Sequence, residues 1–174
     1  ESSAFFGCTD LKSITLPKTL TSIGISTFEG CTNLVSIMIP EGVTTIGNEG
    51  FQYCSSLKNI IIPEGVTTIE ESTFEGCTNL ISITISEGVT TIGDSAFWSC
   101  SSLRNIIIPE GVTTIGSNTF KGCTNLTSVT IPNGVINIED SAFYNCGSLT
   151  HIKIPNSVTS IGEKAFYNCS SLET

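Results

Sequence analysis

Apolar side chains return at the same positions every 23 residues along the chain. When each cysteine of the repeat is counted as position 1, positions 1, 4, 7, 9, 13, 16 and 21 are apolar. In one unit these residues are Cys54, Leu57, Ile60, Ile62, Val66, Ile69 and Phe74. A fixed period of this length is typical of a solenoid, in which one coil cannot bury its apolar face without its neighbours. The pattern therefore predicts a stack of coils around one continuous core.

Each unit contains signals for two short strands and a turn. Positions 7 and 9 are two residues apart, which places both side chains on the buried face of a strand and position 8 on the outer face. Proline at position 10, such as Pro63, is expected to end this strand, and glycine at position 12, such as Gly65, to follow in a turn. Positions 13 to 16 read as a second short extended segment. Positions 18 to 21 are predicted to form one helical or 3₁₀ turn.

The repeat makes residues 1–174 a single array. Full units begin at residues 8, 31, 54, 77, 100, 123 and 146, and partial units lie at both ends. The predicted fold is a β-rich α/β solenoid of about seven coils, whose successive strands pair in parallel. Because the chain begins at Glu1 inside a repeat, we expect it to be a fragment or a processed form. Units beginning at Cys54 and Cys100 are especially alike, which indicates a longer block of two units.

The cysteines form one column of the repeat. They are Cys8, Cys31, Cys54, Cys77, Cys100, Cys123, Cys146 and Cys169. A column in register points all Cβ atoms the same way, which is poor geometry for disulfides. The C-x-x-C pairs of zinc sites are missing from the sequence. We therefore expect buried free thiols that act as small apolar groups, and no metal site.

Charge narrows the classes of function. The net charge is −9, and the seven basic residues are scattered along the sequence, which disfavours nucleic-acid and membrane-surface binding. No apolar run reaches the roughly 20 residues of a membrane helix, so no membrane insertion is expected. A column of carboxylates lies at position 11: Glu41, Glu64, Glu87 and Glu110. Calcium binding is the alternative that clustered carboxylates leave open, but we favour solvated side chains without a metal or cofactor.

The repeat resembles the BspA-like class of leucine-rich repeats. Leu57 to Pro63, Leu103 to Pro109 and Ser95 to Cys100 follow the pattern of that class closely. The resemblance implies a right-handed arc with a parallel sheet on its concave side. It also implies a secreted or surface protein of anaerobic bacteria or mucosal protists, and several such proteins are adhesins for host extracellular-matrix proteins or other microbes. The family has no shared catalytic residues.

A binding face follows from this resemblance. The outward strand positions, 6 and 8, would form the recognition surface, and Met38, Ile61 and Ile107 would give it an apolar character. The alternative is an ordinary solvated sheet of β-forming residues. The candidate residues are Ser36, Met38, Asn59, Ile61, Ser82, Thr84, Asn105, Ile107, Ser128, Thr130, His151 and Lys153.

The sequence favours a non-enzymatic protein-binding or adhesion module of a cell-surface or secreted protein. Its expected partner is an extracellular-matrix or cell-surface protein. His151 is the only histidine, and the repeat gives it no nucleophile or carboxylate partner, so an enzyme is disfavoured. The alternative function is a structural spacer or a self-assembling fibre unit, in which open strand edges stack head to tail.

Overall fold

Fourteen short strands alternate between two sides of a solenoid in the computed structural model, which describes residues 1–173. The strands of the first side contain positions 6 and 7, and some extend to position 8. They are β1 (Ser13–Ile14), β3 (Ser36–Ile37), β5 (Asn59–Ile61), β7 (Ser82–Thr84), β9 (Asn105–Ile107), β11 (Ser128–Thr130) and β13 (His151–Ile152). The strands of the second side contain positions 15 and 16. They are β2 (Ser22–Ile23), β4 (Thr45–Ile46), β6 (Thr68–Ile69), β8 (Thr91–Ile92), β10 (Thr114–Ile115), β12 (Asn137–Ile138) and β14 (Ser160–Ile161).

Strands of successive coils pair in parallel, as predicted. Within each ladder the paired residues are 23 positions apart, for example Ser13 with Ser36 and Ser128 with His151. The first side consists of two ladders, β1-β3-β5-β7 and β9-β11-β13. The second side consists of three, β2-β4, β6-β8 and β10-β12-β14. The predicted parallel solenoid is therefore confirmed. Within residues 1–173 there is also no helix long and apolar enough to cross a membrane.

The predicted helical turn at positions 18 to 21 is wrong. Hydrogen-bonded turns occupy this third side of each coil, and positions 19 and 23 have positive φ, for example 53° at Ser72 and 70° at Gly76. Left-handed residues reverse the local course of the chain, so a right-handed helical turn cannot continue through them. Their N–H groups instead donate to the next coil: Ser72 to the carbonyl of Asp94 at 3.0 Å and Gly76 to that of Trp98 at 2.8 Å.

The third side carries an unbroken backbone ladder. In each coil the N–H groups of positions 19, 21 and 23 donate to carbonyls of the following coil. These bonds also join the coils at the junctions where the strand ladders of the first and second sides are interrupted. At the junction between β7 and β9, the N–H group of Phe74 donates to the carbonyl of Ala96 at 2.9 Å. The coils are therefore held together most regularly by residues outside the strands.

A column of phenylalanines fills the core behind this third side. It consists of Phe5, Phe28, Phe51, Phe74, Phe97, Phe120, Phe143 and Phe166. Neighbouring rings stack with centroids 5.2–5.6 Å apart. Aromatic contacts therefore join every pair of neighbouring coils in this column. The first side carries the parallel strands that the leucine-rich-repeat resemblance expects on the concave surface.

Candidate functional site

The candidate binding residues lie together on the outer surface of the first side, here called the concave face. All the residues predicted from positions 6 and 8 are exposed, while their neighbours at position 7, such as Ile60 and Ile106, are buried. Three apolar side chains are exposed to an unusual degree: Met38 by 83%, Ile61 by 66% and Ile107 by 68%. The predicted placement of these residues agrees with the structure, and their role in binding stays a prediction.

Position 6 provides a polar row beside these apolar side chains. Ser82 Oγ donates a hydrogen bond of 2.7 Å to Asn59 Oδ1 across the β5–β7 pair. Ser128 stands between Asn105 and His151 in the second ladder, and all three are exposed. Hydroxyl, amide and imidazole groups in one row offer both donors and acceptors to a partner.

Shallow depressions flank Met38. One of about 540 Å³ lies between Thr15, Met38 and Glu41, and a second of about 330 Å³ lies between Met38, Ile61 and Glu41. Each depression thus joins an apolar side chain of the concave face to a carboxylate at its border. A third depression of about 400 Å³ lies at the opposite border and includes Ile81 and Arg104.

Opposite charges line the two borders of the concave face. Position 5, immediately before each first-side strand, carries the basic flank: Lys12, Lys58 and Arg104. Position 11, after the strand, carries the acidic flank: Glu41, Glu64, Glu87 and Glu110. All these side chains are exposed. The ion pair found within residues 1–173 joins Lys164 and Glu163, away from this face, so neither flank is neutralised by a salt bridge in the described chain.

The sequence analysis missed the basic flank. Counted along the chain, the basic residues look scattered, but Lys12, Lys58 and Arg104 are each separated by two repeat units. Assigning every lysine and arginine to its position in the repeat would have revealed the column.

The cysteine column is placed as predicted, inside the core. Cys31, Cys54, Cys77, Cys100, Cys123 and Cys146 are fully buried free thiols, whereas Cys8 is exposed and Cys169 is half-buried. The Cys77 thiol donates to the carbonyl of Phe51 at a sulfur–oxygen distance of 3.2 Å. Burial raises the pKa of Cys77 and of Cys123 to about 12. These thiols stay protonated at neutral pH, and a protonated thiol is a poor nucleophile and metal ligand.

Calcium binding by the acidic flank gains no support from the geometry. Residues 1–173 contain no group of three or more His, Cys, Asp or Glu side chains placed to hold a metal ion. The exposed glutamates form a charged border of the concave face.

A second surface feature, the aromatic–lysine row, lies on the third side at position 22. Lys121 Nζ is 4.7 Å from the ring centroid of Trp98 and 5.4 Å from that of Tyr144. The Tyr144 and Tyr167 rings stack 4.9 Å apart. In these contacts the ring faces meet the ammonium group or another ring, so the row stabilises the stack of coils. The sequence analysis did not identify it, although its residues share one position of the repeat.

Glu75, also at position 22, contacts two polar side chains of the preceding coil, one at position 22 and one at position 23. It accepts hydrogen bonds from Gln52 Nε2 at 2.8 Å and from Tyr53 Oη at 3.2 Å. The negative charge of Glu75 raises the pKa of the Tyr53 phenol. The tyrosine therefore remains a donor to this carboxylate at neutral pH.

A parallel solenoid with one short strand per coil on its concave side defines the leucine-rich-repeat class. The sequence profile described as "BspA type Leucine rich repeat region (6 copies)" matches residues 1–124 and 90–174. The chain therefore belongs to the BspA-type leucine-rich repeat family. A comparison with curated protein sequences finds no match.

Solved structures of bacterial leucine-rich repeat proteins resemble the chain. The T. pallidum leucine-rich repeat protein is 32% identical, with a TM-score of 0.89 over 93% of this chain and 78% of that one. A leucine rich cell surface protein from Faecalibacterium prausnitzii A2-165 is 35% identical, with a TM-score of 0.84 over 94% of this chain and 46% of that one. A Eubacterium ventriosum leucine-rich repeat protein is 30% identical, with a TM-score of 0.80 over 94% and 44%. The chain thus spans less than half the length of the last two.

Proposed function

We propose that the chain is a non-enzymatic protein-binding module whose concave face contacts a protein partner. The supporting observation is the exposure of Met38, Ile61 and Ile107 on one face that also carries a polar row and charged borders. Several exposed apolar side chains on one face with a polar rim are typical of protein interaction sites. Catalysis is not part of the proposal, because the buried thiols are protonated and exposed His151 lies in a row of seryl and amide groups.

The proposed location is the cell surface or the extracellular space, and the proposed partner is an extracellular-matrix or cell-surface protein. This location is supported by the description of the F. prausnitzii relative as a cell surface protein. A net charge of −9 with an exposed apolar row suits specific protein contacts better than contacts with anionic lipids or nucleic acids.

The test compares two double variants in binding to a panel of immobilised extracellular-matrix proteins. Ile61→Lys with Ile107→Lys places charge on the concave face, and Thr45→Lys with Thr91→Lys places the same charge on exposed positions of the second side. We expect saturable binding that the first pair abolishes and the matched control pair retains. Equal loss in both pairs, or no binding to any matrix or cell-surface protein by the unmodified chain, would contradict the proposal.

The second candidate is head-to-tail self-association into a spacer or fibre. It is supported by the third-side ladder, in which every coil offers donors to the following coil and carbonyls to the preceding one. Further coils of a longer protein, or another copy of the chain, would satisfy the same pattern. Light scattering over a range of concentrations tests it: growth into long particles favours assembly, and a constant monomer mass rules it out.

A further inference from the structure

Two coils of the concave face carry the same row of chemically different side chains. In one coil a cation, an exposed isoleucine and a carboxylate follow at three-residue intervals: Lys58, Ile61 and Glu64. The row recurs two coils later as Arg104, Ile107 and Glu110. The coil between them has Ile81, Thr84 and Glu87 in the same places, so the full row appears in two coils that are separated by one.

The spacing between these rows suits one secondary structure of a partner. Two coils span roughly 10 Å, because paired strands lie about 4.8 Å apart and the ladder is interrupted between β7 and β9. Seven residues of an α-helix span about 10.5 Å and return to nearly the same helix face. Three residues of an extended strand also span about 10 Å, but an odd step turns the side chain to the opposite face. A helix that lies across the strands therefore repeats its contacts from one row to the next, and a strand does not.

The width of the face also accommodates a helix. Positions 5 and 11 are six residues apart, and the charged borders are thus at most about 20 Å apart, because only the middle of this stretch is a strand. A helix with its side chains is about 10–12 Å in diameter, so it fits over the isoleucines with space on each side for charged side chains. Its flank beside Lys58 and Arg104 would be acidic, and its flank beside Glu64 and Glu110 would be basic.

We propose that the concave face binds an amphipathic α-helix of the partner that lies along the solenoid axis. The helix has an apolar seven-residue repeat over Ile61 and Ile107, an acidic flank against Lys58 and Arg104, and a basic flank against Glu64 and Glu110. This inference rests on the proposed function and specifies the partner's contact element.

Two synthetic helical peptides test the charge pattern. Both have the same apolar repeat, composition and net charge; the first has glutamates on one flank and lysines on the other, and the second exchanges them in alternate turns so that both flanks are mixed. Circular dichroism verifies equal helicity. We expect the first peptide to bind at least about tenfold more tightly and to weaken with salt. Equal affinities would overturn the proposal.

Protein variants locate the contact. Lys58→Glu with Arg104→Glu is expected to weaken binding of the first peptide by about tenfold or more, whereas exposed Lys164→Glu, away from the face, leaves it unchanged. Adding Glu64→Lys and Glu110→Lys to this double variant exchanges the charges of the two flanks. Binding of the first peptide is then expected to return with the helix pointing in the opposite direction along the face. A spin label at one end of the peptide measures this direction. Failure of this rescue in a folded variant overturns the assignment of the flanks.

A peptide-display selection separates the two proposals. Peptides are selected from an unconstrained library on the intact chain, and those that still bind the Ile61→Lys, Ile107→Lys variant are removed. Binders with a seven-residue apolar repeat and opposite flanks support the helix. Extended binders without that repeat overturn the helix but leave the protein-binding function standing. A selection without any binder that depends on Ile61 and Ile107 overturns both.

Discussion

Alkaline pH is expected to unfold the chain because its core contains a column of protonated thiols. Burial raises the pKa of Cys77 and of Cys123 from the ordinary value of 9.0 to about 12. Between these two values the unfolded chain binds fewer protons than the folded chain, so stability is complete below pH 9 and falls as the pH rises. Burial also raises the pKa of Cys54, Cys100 and Cys146, which adds to the effect.

The magnitude follows from the proton linkage. Each thiol loses about 1.4 kcal/mol for each pH unit within its window, so Cys77 and Cys123 together cost about 3 kcal/mol at pH 10. This is a large part of the roughly 5–15 kcal/mol by which proteins are stable. Urea denaturation under reducing conditions, at steps between pH 7.5 and 10, measures the free energy of unfolding.

The matched control is the double variant Cys77→Ser, Cys123→Ser. A seryl hydroxyl replaces each thiol as a donor but does not ionise in this range. We expect the variant to lose about 3 kcal/mol less than the unmodified chain between pH 8 and 10. The same pH dependence in both proteins would refute the reasoning that links the buried thiols to alkaline unfolding.

Other substitutions test the stack of coils on its third side. Phe97→Ala removes one ring of the phenylalanine column. It is expected to lower the free energy of unfolding, measured by urea denaturation, by about 3–5 kcal/mol. A loss below about 1 kcal/mol would contradict the place of Phe97 in the core. Lys121→Met keeps the aliphatic stem but removes the ammonium group over the Trp98 ring. The variant is expected to lower the free energy of unfolding by about 0.5–1 kcal/mol and to change the fluorescence of Trp98. If neither quantity changes, the ring contact is contradicted. Ser95 has a φ of 58°, in the left-handed region. Ser95→Gly is therefore expected to be neutral or stabilising, and Ser95→Val to lower the free energy of unfolding by about 1–3 kcal/mol. Equal thermal midpoints for the two variants would count against left-handed strain at this residue.

The core and the parallel strands could be predicted because burial follows the period of the repeat. Leu57, Ile60 and Ile62 lie inside as expected, and the alternation correctly places Ile61 outside. The third side could not be predicted from apolar spacing, since Phe74 is buried equally well by a helical turn or by a left-handed turn. The available signal was the frequent Ser, Asn and Gly at positions 19 and 23, residues that suit positive φ.

The basic flank was missed for a related physical reason. Strict alternation from buried Ile60 places Lys58 on the inner face, yet Lys58 and Asn59 are both exposed. The chain is not yet extended at position 5, because the strand begins at Asn59 and the preceding residues form a turn around buried Leu57. Exposure at a strand's first residues depends on that turn, which a two-residue period does not describe.

The direction of the bonds between coils has a mechanical consequence. Donors and acceptors of the third-side ladder belong to successive coils, so these bonds run along the length of the array. Tension between the two ends acts along them, and each coil contacts mainly its neighbours, so coils detach one after another from an end. Each detached coil releases 23 residues, or about 80 Å of extended chain. The array can therefore lengthen many times over under load while the coils that remain folded keep their concave face.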